Sequence, residues 1–194
     1  MTQPTKMASL MTMLTLSAGV LAAPVKYDID PGHTYPAFEA DHMGGLSIWR
    51  GKINQTSGSI TLDTAAQTGS VNVTMDMSSI DFGHDKMNEH AQSKDMFDVA
   101  KYPTATYQGT LADFKDGHPT KVKGQLTLHG VTKPLELDIK QFLCKENPMS
   151  KKEVCGADAL ATFNRGDFGV DYGKDFGFKL DVTLRISVEA IKAD

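Results

Sequence analysis

The stretch Lys179–Ile191 reads KLDVTLRISVEAI, and its alternation decides the fold. Leu180, Val182, Leu184, Ile186, Val188 and Ala190 fall on one face; Lys179, Asp181, Thr183, Arg185, Ser187 and Glu189 fall on the other. Successive side chains of a strand point to opposite faces, so this is a strand with one dry side and one wet side. A helix would spread the same apolar residues around its circumference. Thirteen residues at about 3.4 Å each make a strand of roughly 44 Å, whereas most strands run about 5–6 residues. A strand this long suits the tilted wall of a barrel better than a small sandwich.

The rest of the chain supplies partners for it. Thr34–His42 alternates with Phe38, Ala40 and His42 on one side and Glu39 and Asp41 on the other; Met43-Gly44-Gly45 is a turn. Leu46–Ile53 is a second strand, continued or followed by Ser59–Asp63, and Gly51 and Gly58 mark the bulges or bends that a small barrel needs. After a turn at Gln67-Thr68-Gly69, Val71, Val73, Met75 and Met77 alternate cleanly. The pattern then breaks: residues 80–99 are rich in charge and methionine, and Asp85 to about Ser93 reads as a short helix with Met87 and Ala91 on one face. Strands resume at Thr104–Thr110 and at Lys121–His129, where Val122, Leu126 and Leu128 point inward, with Asp116-Gly117 as the turn signal between them. Leu135, Leu137 and Ile139 form the next strand, led by Pro134, and Ala157–Phe163 another. Asn164–Phe178 is a loop rich in glycine and aromatic residues. The sum is an all-β, antiparallel barrel of about eight strands with one helical insertion around residues 80–99; such a barrel has no exposed edges and can hold one small ligand.

The ends and the composition bound the setting. Residues 1–22 carry a single Lys6, then a mostly apolar run from Met7 to Leu21 and a small-residue pattern at Val20-Leu21-Ala22, the features of a secretory signal peptide; residues 23–194 are then the barrel domain and the expected location is the periplasm. No later run is long enough for membrane insertion. The net charge is −4 and the basic residues are scattered, which gives nucleic acid no patch to bind. The two cysteines, Cys144 and Cys155, flank Asn147-Pro148. Export and an even cysteine count argue for a disulfide across a loop. The alternatives are free thiols or half a metal site, and C-x10-C with no nearby histidine is a poor zinc spacing.

Few residues suggest chemistry. None of the six histidines lies in H-x-x-x-H or H-E-x-x-H, so no metal is expected. There is no G-x-S-x-G, so an enzyme has no positive support. His42 shares a face with Phe38 and can either satisfy a core hydrogen bond or touch a ligand. Arg165, in Asn164-Arg165-Gly166-Asp167-Phe168-Gly169, is read first as a loop-ordering salt bridge to Asp167 or the Asp95 region; the other reading is a cation at a barrel mouth for an anionic headgroup. Met43, Met75, Met77, Met87 and Met96 fall on or next to the inner face or its helical cover, and methionine is favoured where a surface must adapt to varied apolar partners.

Five ordered motifs carry a family resemblance. They are Asp30-x-x-His33-Thr34 with Phe38, His42-Met43-Gly44, Ser47 and Gly51; Ser79-Ile80-Asp81 with His90 and Ser93-x-Asp95-x-Phe97-Asp98-Val99-x-x-Tyr102-Pro103; Gly124-x-Leu126-Thr127-Leu128-His129-Gly130-Val131-Thr132-Lys133-Pro134; Asn164-Arg165-x-Asp167-Phe168-Gly169; and Val188-Glu189-Ala190. The chain resembles the YceI-like family of exported polyisoprenoid-binding proteins from about Tyr27 to Ala190. It departs at Asn88-Glu89, where many members have Arg-Asp, and the G-x-W of true lipocalins is absent. The resemblance implies a lipocalin-like barrel whose tunnel takes an isoprenoid lipid, such as a quinone or polyprenyl species, with no other cofactor and no catalysis. Such a protein acts as carrier, reservoir or sensor; rival readings are an enzyme acting on a bound lipid through His42 or His90, and a ligand-free structural or stress protein. A homodimer is left open. The expected ligand-binding set is Phe38, Ala40 and His42 from the first strand; Val73, Met75 and Met77; Met87, His90 and Phe97 from the insertion; Leu126 and Leu128; and Phe163, Arg165, Phe168 and Leu184 toward the end of the chain.

Overall fold

The structure, a computed structural model, describes residues 23–194. The signal-peptide expectation for residues 1–22 lies outside the described residues. The strands are β1 (Val25–Ile29), β2 (Tyr35–His42), β3 (Ser47–Ile53), β4 (Thr56–Asp63), β5 (Thr68–Asp76), β6 (Ile80–Asp81), β7 (Thr104–Ala112), β8 (Lys121–Leu128), β9 (Val131–Glu146), β10 (Glu153–Asn164) and β11 (Asp181–Lys192), with one helix, α1 (Asp85–Gln92). Every strand pairing is antiparallel.

The sheet closes on itself through β11. Its first half pairs with β2, Val182 opposite Ala40, and its last residues pair with β1, Tyr27 opposite Lys192. β1 and β2 are therefore one wall strand broken at Asp30–Gly32, and β3 and β4, separated only by Asn54 and Gln55, are likewise one bent strand. With β5 and β7 to β11 this makes a closed ring of eight. Within β4, Gly58 has φ +139°, and a Cβ there would collide with the carbonyl oxygen of Asn72 across the β4–β5 pair. Gly51 is needed for a different reason, because the Phe38 ring of the neighbouring strand lies where its Cβ would be.

Strand direction defines two ends. The upper end gathers the β2–β3 turn, the α1 segment, the β8–β9 turn and the loop from Arg165 to Leu180; the lower end gathers the β4–β5, β7–β8 and β9–β10 turns. α1 forms where expected. The His84 side chain caps it by accepting from the Met87 N–H at 3.3 Å. Asn88 fastens it to β6, donating to Asp81 at 3.0 Å and accepting from the Phe82 N–H at 2.8 Å. That role falls to the very position where the chain departs from its apparent family pattern.

Three expectations need correction. The run Tyr27-Asp28-Ile29-Asp30-Pro31-Gly32-His33 reads in the sequence as an entry turn, whereas Val25–Ile29 is the strand that closes the barrel. Pro134 does not lead its strand but stands inside β9, opposite Gln125, in the part of β9 that β10 does not reach; the unpaired edge there tolerates a residue with no N–H. The disulfide joins Cys144 and Cys155 as expected, yet it bridges two directly paired residues of β9 and β10, Cα–Cα 4.0 Å, because both strands run on past it toward their turn.

Candidate functional site: an apolar cavity with one polar mouth

The inner faces of the strands do not meet. They enclose a cavity of about 450 Å³ whose wall is almost wholly carbon. Val182, Leu184, Ile186, Val188 and Ala190, the dry face of the stretch that opened the sequence reading, form one side of it. Of the residues expected to face a ligand, Phe38, Ala40 and His42 from β2, Val73 and Met75 from β5, and Met77 just after it are in the wall. So are Met87, His90 and Phe97 around α1, Leu126 and Leu128 from β8, Phe163 and Arg165 at the end of β10, and Leu184.

Phe168 is the exception. The strand period ends at Asn164, where a 3₁₀ turn at Arg165–Phe168 begins, and Phe168 is buried behind the wall against Phe163, ring centroids 5.4 Å apart. Met43 also differs from expectation: it is an exposed turn residue, while Met75, Met77, Met87 and Met96 line the cavity. Residues that the sequence reading missed include Tyr27, Trp49, Leu62, Tyr172 and Phe178. Trp49 was within reach, since Ser47–Ile53 alternates and Trp49 pairs with the inward Ala40.

The cavity is not the same from end to end. Toward the lower end Tyr27, Leu62, Leu111, Val122 and Ala190 are buried. The phenols on this part of the wall are occupied: Tyr107 donates to the carbonyl of Leu135 at 2.9 Å and also reaches that of Val122, and Tyr27 donates to Glu153 at 2.6 Å. Burial, before any charge effect, holds both phenol pKa values above their usual range. At the upper end the wall includes half-buried or exposed side chains: Asp41, His42, Trp49, His90, Tyr172 and Phe178. Aromatic contacts knit them together. His42 stands 5.0 Å from Trp49 and 5.3 Å edge-on from Phe178, and His90 lies 4.6 Å from Tyr172, which joins α1 to the glycine-rich loop. Besides these rings, His42 has the Ser47 hydroxyl 3.5 Å from its Nδ1, and neither imidazole is paired with a carboxylate among the described residues.

Two polar groups shape this mouth. Asp41 accepts from the N–H groups of Lys179 and Gly44, each at 2.9 Å, and so pins the β2–β3 turn to the start of the last wall strand. The Lys179 N–H is the main reason its carboxyl pKa lies below the ordinary value. Arg165 is 7% exposed and donates to the carbonyls of Val170 at 2.6 Å and Tyr172 at 2.8 Å. It orders the loop, as its first reading expected, but through backbone carbonyls; no carboxylate lies within ion-pair distance of it among the described residues, so the expected bridge to Asp167 or the Asp95 region is not formed. Burial lowers its pKa, opposed by the more distant Asp171 and Asp41. The mouth therefore holds a buried cation, with its charge unmatched at contact distance, on the wall of an apolar cavity.

A closed eight-stranded barrel with an internal apolar cavity is the architecture of small-molecule binding barrels. Residues 27–190 match the model of the YceI-like domain, and the chain belongs to that family. It is 34% identical over 182 residues to the protein named YceI in Escherichia coli O6:H1, covering 92% of this chain and 93% of that one. Among solved structures, a YceI protein of Campylobacter jejuni superposes with a TM-score of 0.65 at 26% identity, covering 77% of this chain and 88% of that one. A polyisoprenoid-binding domain of Saccharophagus degradans, described as implicated in plant cell wall breakdown, shares the fold with a TM-score of 0.60 at 14% identity, covering 87% and 99%.

Proposed function

We propose that this chain is an exported lipid-binding protein that holds the tail of an isoprenoid or similar amphipathic lipid inside the barrel, with its head at the upper mouth. One observation carries the reading: the cavity wall is carbon along its length, and its less buried polar groups are confined to one end. Such a gradient matches a molecule with a long apolar tail and a small polar head. Each methylene-sized group taken from water contributes about 0.8 kcal/mol, so a few isoprene units outweigh the several kcal/mol lost in immobilising the chain. The aliphatic wall discriminates weakly among tails of similar width, and the head sets what selectivity there is. Arg165 supplies the charge for it, to an anionic group or to the carbonyl of a quinone. The location is the periplasm, and the role is that of carrier or reservoir.

The likeness to a polyisoprenoid-binding domain supports the tail class through the shared barrel. The test is native mass spectrometry of protein purified from the periplasm of its own host. A single lipid per chain, released at high collision energy and identified after extraction, is expected. Protein that arrives empty and takes up neither a quinone nor a polyprenyl lipid from detergent micelles contradicts the proposal.

A further inference from the structure

The mouth has an outer rim, most of which does not line the cavity. Among the described residues eight large apolar side chains are exposed: Tyr35, Met43, Leu46, Ile48, Leu143, Met149, Tyr172 and Phe176. Five of these gather at the upper end, with Met43 55%, Leu46 73%, Ile48 55%, Tyr172 41% and Phe176 73% exposed. They come from two segments, the β2–β3 turn with the start of β3 and the glycine-rich loop, which Asp41 ties together by its bonds to Gly44 and Lys179. Leu46 donates its N–H to the carbonyl of the wall residue His42 at 3.0 Å, and the other four adjoin or belong to the wall of the cavity. Met43 follows His42, Ile48 precedes Trp49, Phe176 is two residues before Phe178, and Tyr172 belongs to wall and rim at once.

We infer that this rim is a docking surface for a lipid bilayer, on which the protein sits with its mouth against the membrane. The inference rests on the lipid-binding reading for its purpose, and on the rim itself for its geometry. Three observations favour a bilayer as the occupant. Tyr172 is both exposed and part of the cavity wall, so the rim adjoins the apolar cavity directly. Four of the five, Met43, Leu46, Tyr172 and Phe176, stand in the two connecting segments around an opening, a form that enters a fluid surface more readily than it matches a rigid partner face. The charges among them are mixed, with Lys174 and Lys179 beside Asp171 and Asp175, so attraction to one sign of partner is absent and apolar contact supplies the affinity. The contact inferred is peripheral, made by the rim alone; no helix among the described residues is long and apolar enough to cross a membrane.

The test uses delipidated protein and phosphatidylcholine vesicles in a flotation assay. Wild type should partition to the vesicles and remain there in high salt. Leu46→Ser with Phe176→Ser should lower the partition coefficient by roughly tenfold for each side chain removed. The same pair of changes at the lower end, Leu143→Ser with Met149→Ser, should leave it unchanged. Trp49 gives a readout that needs no variant: as the single tryptophan of the chain, placed at the mouth, it should be quenched by brominated phosphatidylcholine and recover when the vesicles are removed. Equal partition of the rim and lower-end variants overturns the inference, as does wild type that stays off the vesicles. A concentration-dependent dimer that the rim variant abolishes, seen by analytical ultracentrifugation, also overturns it by making a second copy the occupant. Quenching that persists after the vesicles are gone reports lipid held in the cavity, so failure of docking and failure of lipid binding are read separately.

Discussion

The two ends of the barrel are made from the same strands and solve opposite problems. At the lower end Leu62, Leu111, Val122 and Ala190 are buried, and the Cys144–Cys155 bridge locks the β9–β10 hairpin. At the upper end the chain places its helix, its glycine-rich loop, a buried arginine and most of its exposed apolar side chains. The difference teaches that closing the sheet is separable from using its interior. The ring is closed in both halves, by β11 with β2 above and with β1 below, while half-buried and exposed wall residues gather around the upper mouth.

The comparison can be broken by equivalent truncations at each end. Leu62→Ala, in the sealed half, should cost about 2–4 kcal/mol, while Met87→Ala, in the half-buried cover, should cost about 1 kcal/mol or less. Urea denaturation of delipidated protein measures both, and equal costs would erase the distinction. Next in size is the disulfide. Replacing Cys144 and Cys155 together by serine should lower stability by roughly 2–3 kcal/mol without abolishing the fold, because the bridge closes only a short loop and the ring itself remains. Intact mass after alkylation without reduction should show no free thiol in the exported wild-type protein.

The smallest effect is the one that sharpens the contrast. Asp41→Ala removes the acceptor that joins the β2–β3 turn to Lys179, so the Gly44 and Lys179 amides should exchange with solvent about tenfold faster while the lower-end amides do not change. Acid should imitate the substitution. The Asp41 pKa is lowered in the folded protein, so its contribution is complete above the ordinary aspartate value of about 4 and fades as pH falls through the lowered folded value. Amide exchange at the mouth that is insensitive to pH from 5 down to about 2, after correction for intrinsic rates, would argue that Asp41 holds nothing together.

Much of the wall could be read in the sequence because one physical rule governs it. Period-2 alternation placed Val182 to Ala190, Phe38 to His42 and Val73 to Met75 on the inner face, and each is there. What escaped did so where that rule is silent. β1 has only five residues, and its register is set by β11 and β4, elements that no local pattern in VKYDI can announce. The outer parts of β9 and β10, around Lys145, Glu146 and Glu153, carry polar side chains on an extended hairpin, so their pairing leaves no apolar trace. Phe168, Tyr172 and Phe178 lie in a segment of 3₁₀ turns and glycines with positive φ, where spacing along the chain no longer fixes direction in space. The site is thus most legible along its aliphatic wall and least legible at its mouth.

The central claim is that the barrel interior is reserved for a ligand and is not an underfilled core. Val73→Phe tests it most directly, because Val73 is in the cavity wall and the added ring occupies the space assigned to the tail. Thermal unfolding of the delipidated variant is measured beside lipid retention in native mass spectrometry. The account predicts an apo protein as stable as wild type or more so, together with loss of the lipid. Destabilisation of the apo protein by the roughly 1–3 kcal/mol typical of an overfilled core, with lipid still bound to the folded fraction, would contradict it.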